Sequence, residues 1–148
     1  TGLNAEYAEF NGMPMSRPIP WTTDRHDCFY SDAYRTVANI GLDYAWFGTD
    51  IGQCKAADRQ QRFLLEGLRK GSFAVYEIDG TPIANGVLHP VAVIATTAQS
   101  VLAAWNGTSK EWVERFWNTP LRKGERRYYD NCLYMFAMLA LSGEYRIW

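Results

Sequence analysis

A mostly helical chain with one small β-hairpin is the fold class this sequence predicts. Five segments repeat apolar residues at three- and four-residue steps. A single Asp-Gly pair, Asp79-Gly80, stands between two short β-prone runs. The 148 residues are 47% apolar, enough for the core of one ordinary domain.

Residues 1 to 30 read as irregular. Asn11-Gly12 is a turn signal, and Pro14, Pro18 and Pro20 break any regular pattern. A long segment without periodicity is usually functional or part of something larger. The chain opens at Thr1 in what reads as mid-loop, so a beginning upstream of it is expected. Ser31 to about Phe47 follows as the first helix, with Tyr34, Val37, Ala38, Leu42 and Ala45 on one stripe. Ser31 is its expected N-cap and Gly48 its stop. Gly41 lowers helix propensity but permits a close helix neighbour.

Residues 54 to 70 form a second amphipathic helix with Phe63, Leu64 and Leu68 inward. The hairpin pairs Tyr76–Ile78 with Thr81–Ile83. Pro90 opens a third helix, to about residue 105, because proline is tolerated in a first turn. Ser109 caps a fourth, KEWVERFWN, closed by Pro120. After the basic loop LRKGERR, which reads as solvated, a fifth helix runs through YYDNCLYMFAMLALSG to Gly143. It is apolar nearly all round and belongs inside something larger than five helices.

A net charge of −1 offers no electrostatic case for nucleic acid or an anionic membrane, and no apolar run reaches the about 18 residues of a membrane span. The three cysteines, Cys28, Cys54 and Cys132, form no paired framework, which suits reduced thiols and a cytoplasmic setting. Six Trp and nine Tyr among the residues suit core packing, and also the stacking surfaces of a sugar cleft.

Two readings of Asp32 stand side by side. A carboxylate in a first helical turn is stabilised by the helix dipole, so Asp32 serves to start its helix. The same field keeps it ionised, as a general base must be. Arg35, one turn on, is placed to orient it, and Phe29, Tyr30 and Tyr34 would line a sugar-facing surface. His26 and His89 have no ligand-like spacing, so no metal site is expected. His89 reads either as a packing residue at a loop-to-helix junction or as a substrate contact. Of the other carboxylates, Asp24 and Asp27 have no assigned role, while Asp43 and Asp130 read as structural or helix-starting. Tyr128 and Tyr129 stay open between core and cleft.

Four segments carry a resemblance: TGLNAEYAEFNG, FYSDAYRTVANIGLDYAWFG, LHPVAVIATTAQSVLA and FWNTPLRKGERRYYDNCLYMFAMLALSGEYRIW. Spread in order over nearly the whole chain, they resemble glycoside hydrolase family 8, and within it the reducing-end xylose-releasing exo-oligoxylanases. The match is weakest over residues 13 to 28 and 49 to 80.

The resemblance implies an (α/α)6 barrel of which residues 1–148 are the C-terminal portion, completed by an N-terminal portion of the same enzyme. It implies an inverting hydrolase acting on xylo-oligosaccharides, with Asp32 as general base, Arg35 orienting it, and no metal or organic cofactor. The Leu88-His89-Pro90 loop would wall off the reducing-end side of the cleft, His89 binding the terminal hydroxyl. Tyr128, Tyr129 and Asp130 would take substrate-side roles. The family's general acid is a glutamate in an earlier TEG-type motif that these residues lack. Glu6, Glu9, Glu66 and Glu77 stand in no matching context. Two rivals remain: an endo-acting β-glycanase of the same family, and a non-catalytic carbohydrate-binding fragment.

Overall fold

The computed structural model describes residues 1–17, 25–71, 74–104 and 106–147. Pro18, Pro20, Asp24 and Trp105 lie outside them. Seven elements follow in order: α1 (Tyr34–Phe47), α2 (Ile51–Arg69), β1 (Ala74–Tyr76), β2 (Pro82–Gly86), α3 (Pro90–Gln99), α4 (Ser109–Asn118) and α5 (Arg127–Leu141). One-turn 3-10 helices, Ser31–Ala33 and Ser100–Leu102, lead into α1 and out of α3.

The central element is α3, which packs against α1, α4 and α5. Its sequence, PVAVIATTAQ, explains the position. Small and β-branched side chains let neighbours approach from every side, and eight of its ten residues are buried. Pro90 sits in the first turn as expected. The helix ends sooner than about residue 105, because the chain tightens into the 3-10 turn at Ser100.

Gly41 of α1 meets this end of α3. A Cβ there would lie 2.7 Å from the Gln99 carbonyl oxygen and 3.0 Å from the Ser100 Cα. Gly41→Ala is therefore expected to cost about 1–3 kcal/mol by overpacking, read as a lower urea midpoint. An unchanged midpoint would mean that the two helices slide apart freely.

The first stripe of α1 is buried from Tyr34 to Leu42, but Ala45 is exposed. Gly48 ends the helix in the left-handed conformation at φ 58°. Ser31 does not cap it. Its φ is 32°, it lies within the 3-10 turn, and the preceding Tyr30 makes no side-chain capping bond. The second helix begins three residues earlier than its apolar pattern, because the Asp50 side chain accepts the Gly52 N–H at 2.7 Å and caps it there. Its buried face holds Ala57, Gln60, Gln61, Leu64 and Leu65, while Phe63 and Leu68 are partly buried against the core. Gln61 is buried because both ends of its amide are used: its Nε2 donates to Ser100 Oγ at 2.9 Å and its Oε1 accepts Asn106 Nδ2 at 3.1 Å, while its backbone carbonyl accepts Trp112 Nε1 at 3.1 Å.

Ser109 does not cap α4 but forms its first residue, its hydroxyl donating to the Ala104 carbonyl at 2.7 Å. The Asn106 side chain accepts the Thr108 N–H at 2.7 Å and turns the chain into the helix. The hairpin's first strand starts two residues earlier than predicted and its second one residue later, pairing Val75 with Ile83 and Tyr76 with Pro82 around the Asp79-Gly80 turn.

Residues 1–17 and 25–30 are more ordered than their sequence suggests. Backbone bonds from Glu6 to Cys28 and from Tyr7 to His26, each 2.9 Å, lay the first segment along the stretch leading to Asp32. Phe29 N–H donates to Tyr76 O at 2.8 Å and ties that stretch to the hairpin. In α5, Leu133, Tyr134, Ala137 and Ala140 face α3. Its other side leaves Met135, Phe136, Met138 and Leu139 between 36 and 51% exposed. An apolar face that open calls for a cover.

Candidate active site

Asp32 stands at the entrance to α1, in a first turn whose backbone is held from two sides. Its own N–H donates to Glu6 Oε1 at 3.0 Å. The carbonyl of Ser31, one residue earlier, accepts the Tyr129 hydroxyl at 3.1 Å. The carboxylate is paired by Arg35 Nη2 at 2.7 Å, the i+3 contact expected from helix spacing. The Asp32 side chain is 34% exposed, so water reaches it while its backbone is pinned.

Tyr129 joins this turn to His89, the two rings lying 4.4 Å apart and tilted by 40°. Burial, with the Asp32 charge beside it, keeps the Tyr129 phenol protonated far above its ordinary range. It is therefore a donor here.

His89 is fixed in turn by Asp130. This carboxylate has no solvent exposure and gathers three partners from separate parts of the chain. The Ala92 N–H donates to Oδ1 at 2.7 Å, and His89 Nδ1 and Arg122 Nη1 lie 3.1 and 2.5 Å from Oδ2. Arg122 also donates to the Leu88 carbonyl at 2.7 Å, so one guanidinium holds both the helix start and the loop before His89. Asn131 secures the Arg122 backbone in both directions, at 2.9 and 3.0 Å.

The structure thus brings Asp32, Arg35, Tyr129 and His89 into one connected array. Tyr128 is not part of it. It is 82% exposed and lines a separate groove with Asn131, Cys132 and Met135. The reason is helical geometry, since successive residues point about 100° apart and burial of Tyr129 turns Tyr128 outward. Phe29 and Tyr34 are also corrected. At 2 and 1% exposure they are core residues packed on each other at 5.1 Å, and face no sugar. Arg122, read in sequence as solvated, and Glu6 were missed as site-building residues, because their partners lie 8 and 26 residues away along the chain.

The remaining chemistry of the chain is committed elsewhere. Arg25 clamps Asp27 at 2.9 Å and Glu77 at 2.6 Å, and holds the Asp27 carboxyl below its usual range. Glu9 pairs with Arg17, Glu66 with Lys70, and Asp43 accepts from Gln53. All three cysteines are unpaired, and burial pushes the Cys28 thiol up to about 11, which keeps it a poor nucleophile. Among the described residues, no group of three metal-ligating side chains occurs, and no helix is long and apolar enough to cross a membrane.

No protein-family model matches the chain. Known proteins do. It is 51% identical over 153 residues to a reducing-end xylose-releasing exo-oligoxylanase of Bifidobacterium adolescentis, and 48% identical over 149 residues to one named Rex8A from Paenibacillus barcinonensis. Those alignments take in 99 and 100% of this chain. The solved structure of Rex8A complexed with xylose superposes with a TM-score of 0.90 at 47% identity, over 99% of this chain. The fold is therefore that of a helical-barrel glycoside hydrolase. The chain spans only 38% of the length of these relatives. It is a homologue of the reducing-end xylose-releasing exo-oligoxylanases, in glycoside hydrolase family 8.

Proposed function

We propose that these residues are the C-terminal portion of the catalytic domain of an inverting glycoside hydrolase that removes xylose from the reducing end of xylo-oligosaccharides. The observation that carries this is the 51% identity running through 99% of the chain. The Asp32 turn supports it, because a part-exposed carboxylate pinned at its backbone and paired with Arg35 has the form of a general base.

In this reading Asp32 removes a proton from water as that water attacks the anomeric carbon. The glycosidic bond breaks on the opposite face through an oxocarbenium-like transition state, and the configuration inverts. The leaving oxygen takes its proton from a carboxylic acid about 6.5–9.5 Å from the base. That acid is assigned to the rest of the enzyme, because the family's TEG-type motif does not occur among these 148 residues. Arg35 holds the Asp32 carboxylate in place through their 2.7 Å pair. His89, buttressed by Asp130 and Tyr129, forms the wall that admits one sugar beyond the scissile bond. The exposed face of α5 is covered by the N-terminal portion of the same enzyme.

The decisive test is product analysis with the whole enzyme. Xylotetraose is expected to yield xylose and a xylo-oligosaccharide one unit shorter, with little release from polymeric xylan. A ladder of products would replace this reading with an endo-acting one. No turnover by an intact, folded enzyme would leave a binding protein.

A further inference from the structure

The general base is held by a group to which the reaction assigns no part. We propose that Glu6 is a positioning residue for Asp32, acting through the Asp32 backbone N–H with His26 as its counter-group. The inference rests on the reading of Asp32 as the base.

Glu6 is a buried carboxylate, its side chain 4% exposed. Burial of that charge is costly without partners, so its two oxygens should be used, and they are. Oε2 pairs with His26 Nδ1, and Oε1 accepts the Asp32 N–H at 3.0 Å. His26 is itself only 12% exposed and stacks on Tyr7, with ring centroids 4.7 Å apart and planes within 9°. The Glu6 backbone is anchored by its N–H to the Cys28 carbonyl at 2.9 Å. The carboxylate therefore stands on a fixed base and reaches one particular amide.

That amide belongs to a corner that needs holding. Ser31 has φ 32°, a conformation non-glycine residues rarely adopt, and it immediately precedes Asp32. Such a residue persists only where its surroundings over-determine it. Here the Tyr129 hydroxyl takes the carbonyl on one side of the Ser31–Asp32 peptide and Glu6 takes the N–H on the other. A bond to an ionised acceptor is about twice as strong as one to a neutral acceptor. The Asp32 side chain itself is paired with Arg35, lies beside the Tyr129 hydroxyl and is in part open to solvent.

Steady-state kinetics of the whole enzyme on xylotriose test this with two variants. Glu6→Gln keeps the length and an oxygen acceptor for the Asp32 N–H, and should hold kcat within about tenfold of the parent. Glu6→Asp keeps the charge but is one methylene short, so it should lose about 10²-fold in kcat with KM changed by less than about threefold. A merely structural role would lower the thermal midpoint without this split. If Glu6→Asp retains kcat within about threefold, or if its loss falls on KM alone, the positioning role is overturned. If Glu6→Asp does not fold, Glu6→Ala, which removes the acceptor for the Asp32 N–H, decides: a folded variant that loses about 10²-fold in kcat with KM little changed supports the role, and one within about threefold of the parent overturns it. Asp32→Asn, measured alongside, separates the two levels. Full turnover in that variant sinks the base assignment itself, whereas its inactivity beside unaffected Glu6 variants sinks only the present inference.

Discussion

Asp32→Asn in the whole enzyme is expected to lower kcat by about 10²–10⁴-fold while leaving KM for xylo-oligosaccharides within about threefold. Asparagine has the same shape and keeps an oxygen for Arg35, which sits 2.7 Å from the carboxylate. The bond from Glu6 reaches the backbone N–H and so survives the change. The Tyr129 bond to Ser31 is likewise untouched. Only the capacity to accept a proton is lost, so the kinetic effect reports on that capacity. Single-turnover rates and product-inhibition constants for xylose would check it. Turnover within about tenfold of the parent would show that another group activates the water.

Asp130→Ala carries the largest expected effect on stability, about 3–5 kcal/mol. Removal of this fully buried carboxylate strands three partners at once. The Ala92 N–H at the start of α3 loses its acceptor, Arg122 loses its anion, and His89 loses the contact that fixes its ring. Arg122 is 25% exposed and recovers some hydration, which sets the effect toward the lower end of that range. Asp130→Asn should fall between, since an amide oxygen still serves Ala92. Urea unfolding of the whole enzyme measures both. A loss below about 1 kcal/mol for the alanine variant would mean that water or another acceptor fills the gap. Because the same carboxylate buttresses His89, the surviving alanine enzyme should also release xylobiose or longer units from the reducing end.

How much of this was readable in the chain depends on how far apart the partners lie. The i+3 pairing of Asp32 with Arg35 follows from helix periodicity and needed no coordinates. So did the Gly41 contact and the Gly48 stop. Glu6 to Asp32 and Arg122 to Asp130 follow no period, because each joins a loop or extended segment to a helix start. Aromatic residues were the least legible. Phe29, Tyr34, Tyr128 and Tyr129 have similar composition-level meaning, yet two are core, one is outward and one bridges the site.

Local patterns alone settled the helices, their order, the hairpin turn and the carboxylate at a helix mouth, because those depend on interactions within a few residues. Which side chains meet around that carboxylate was decided only when α3 became the buried centre and α1 and α5 packed against it. Burial and long-range pairing act on distances in space, and a linear pattern of residues does not record them.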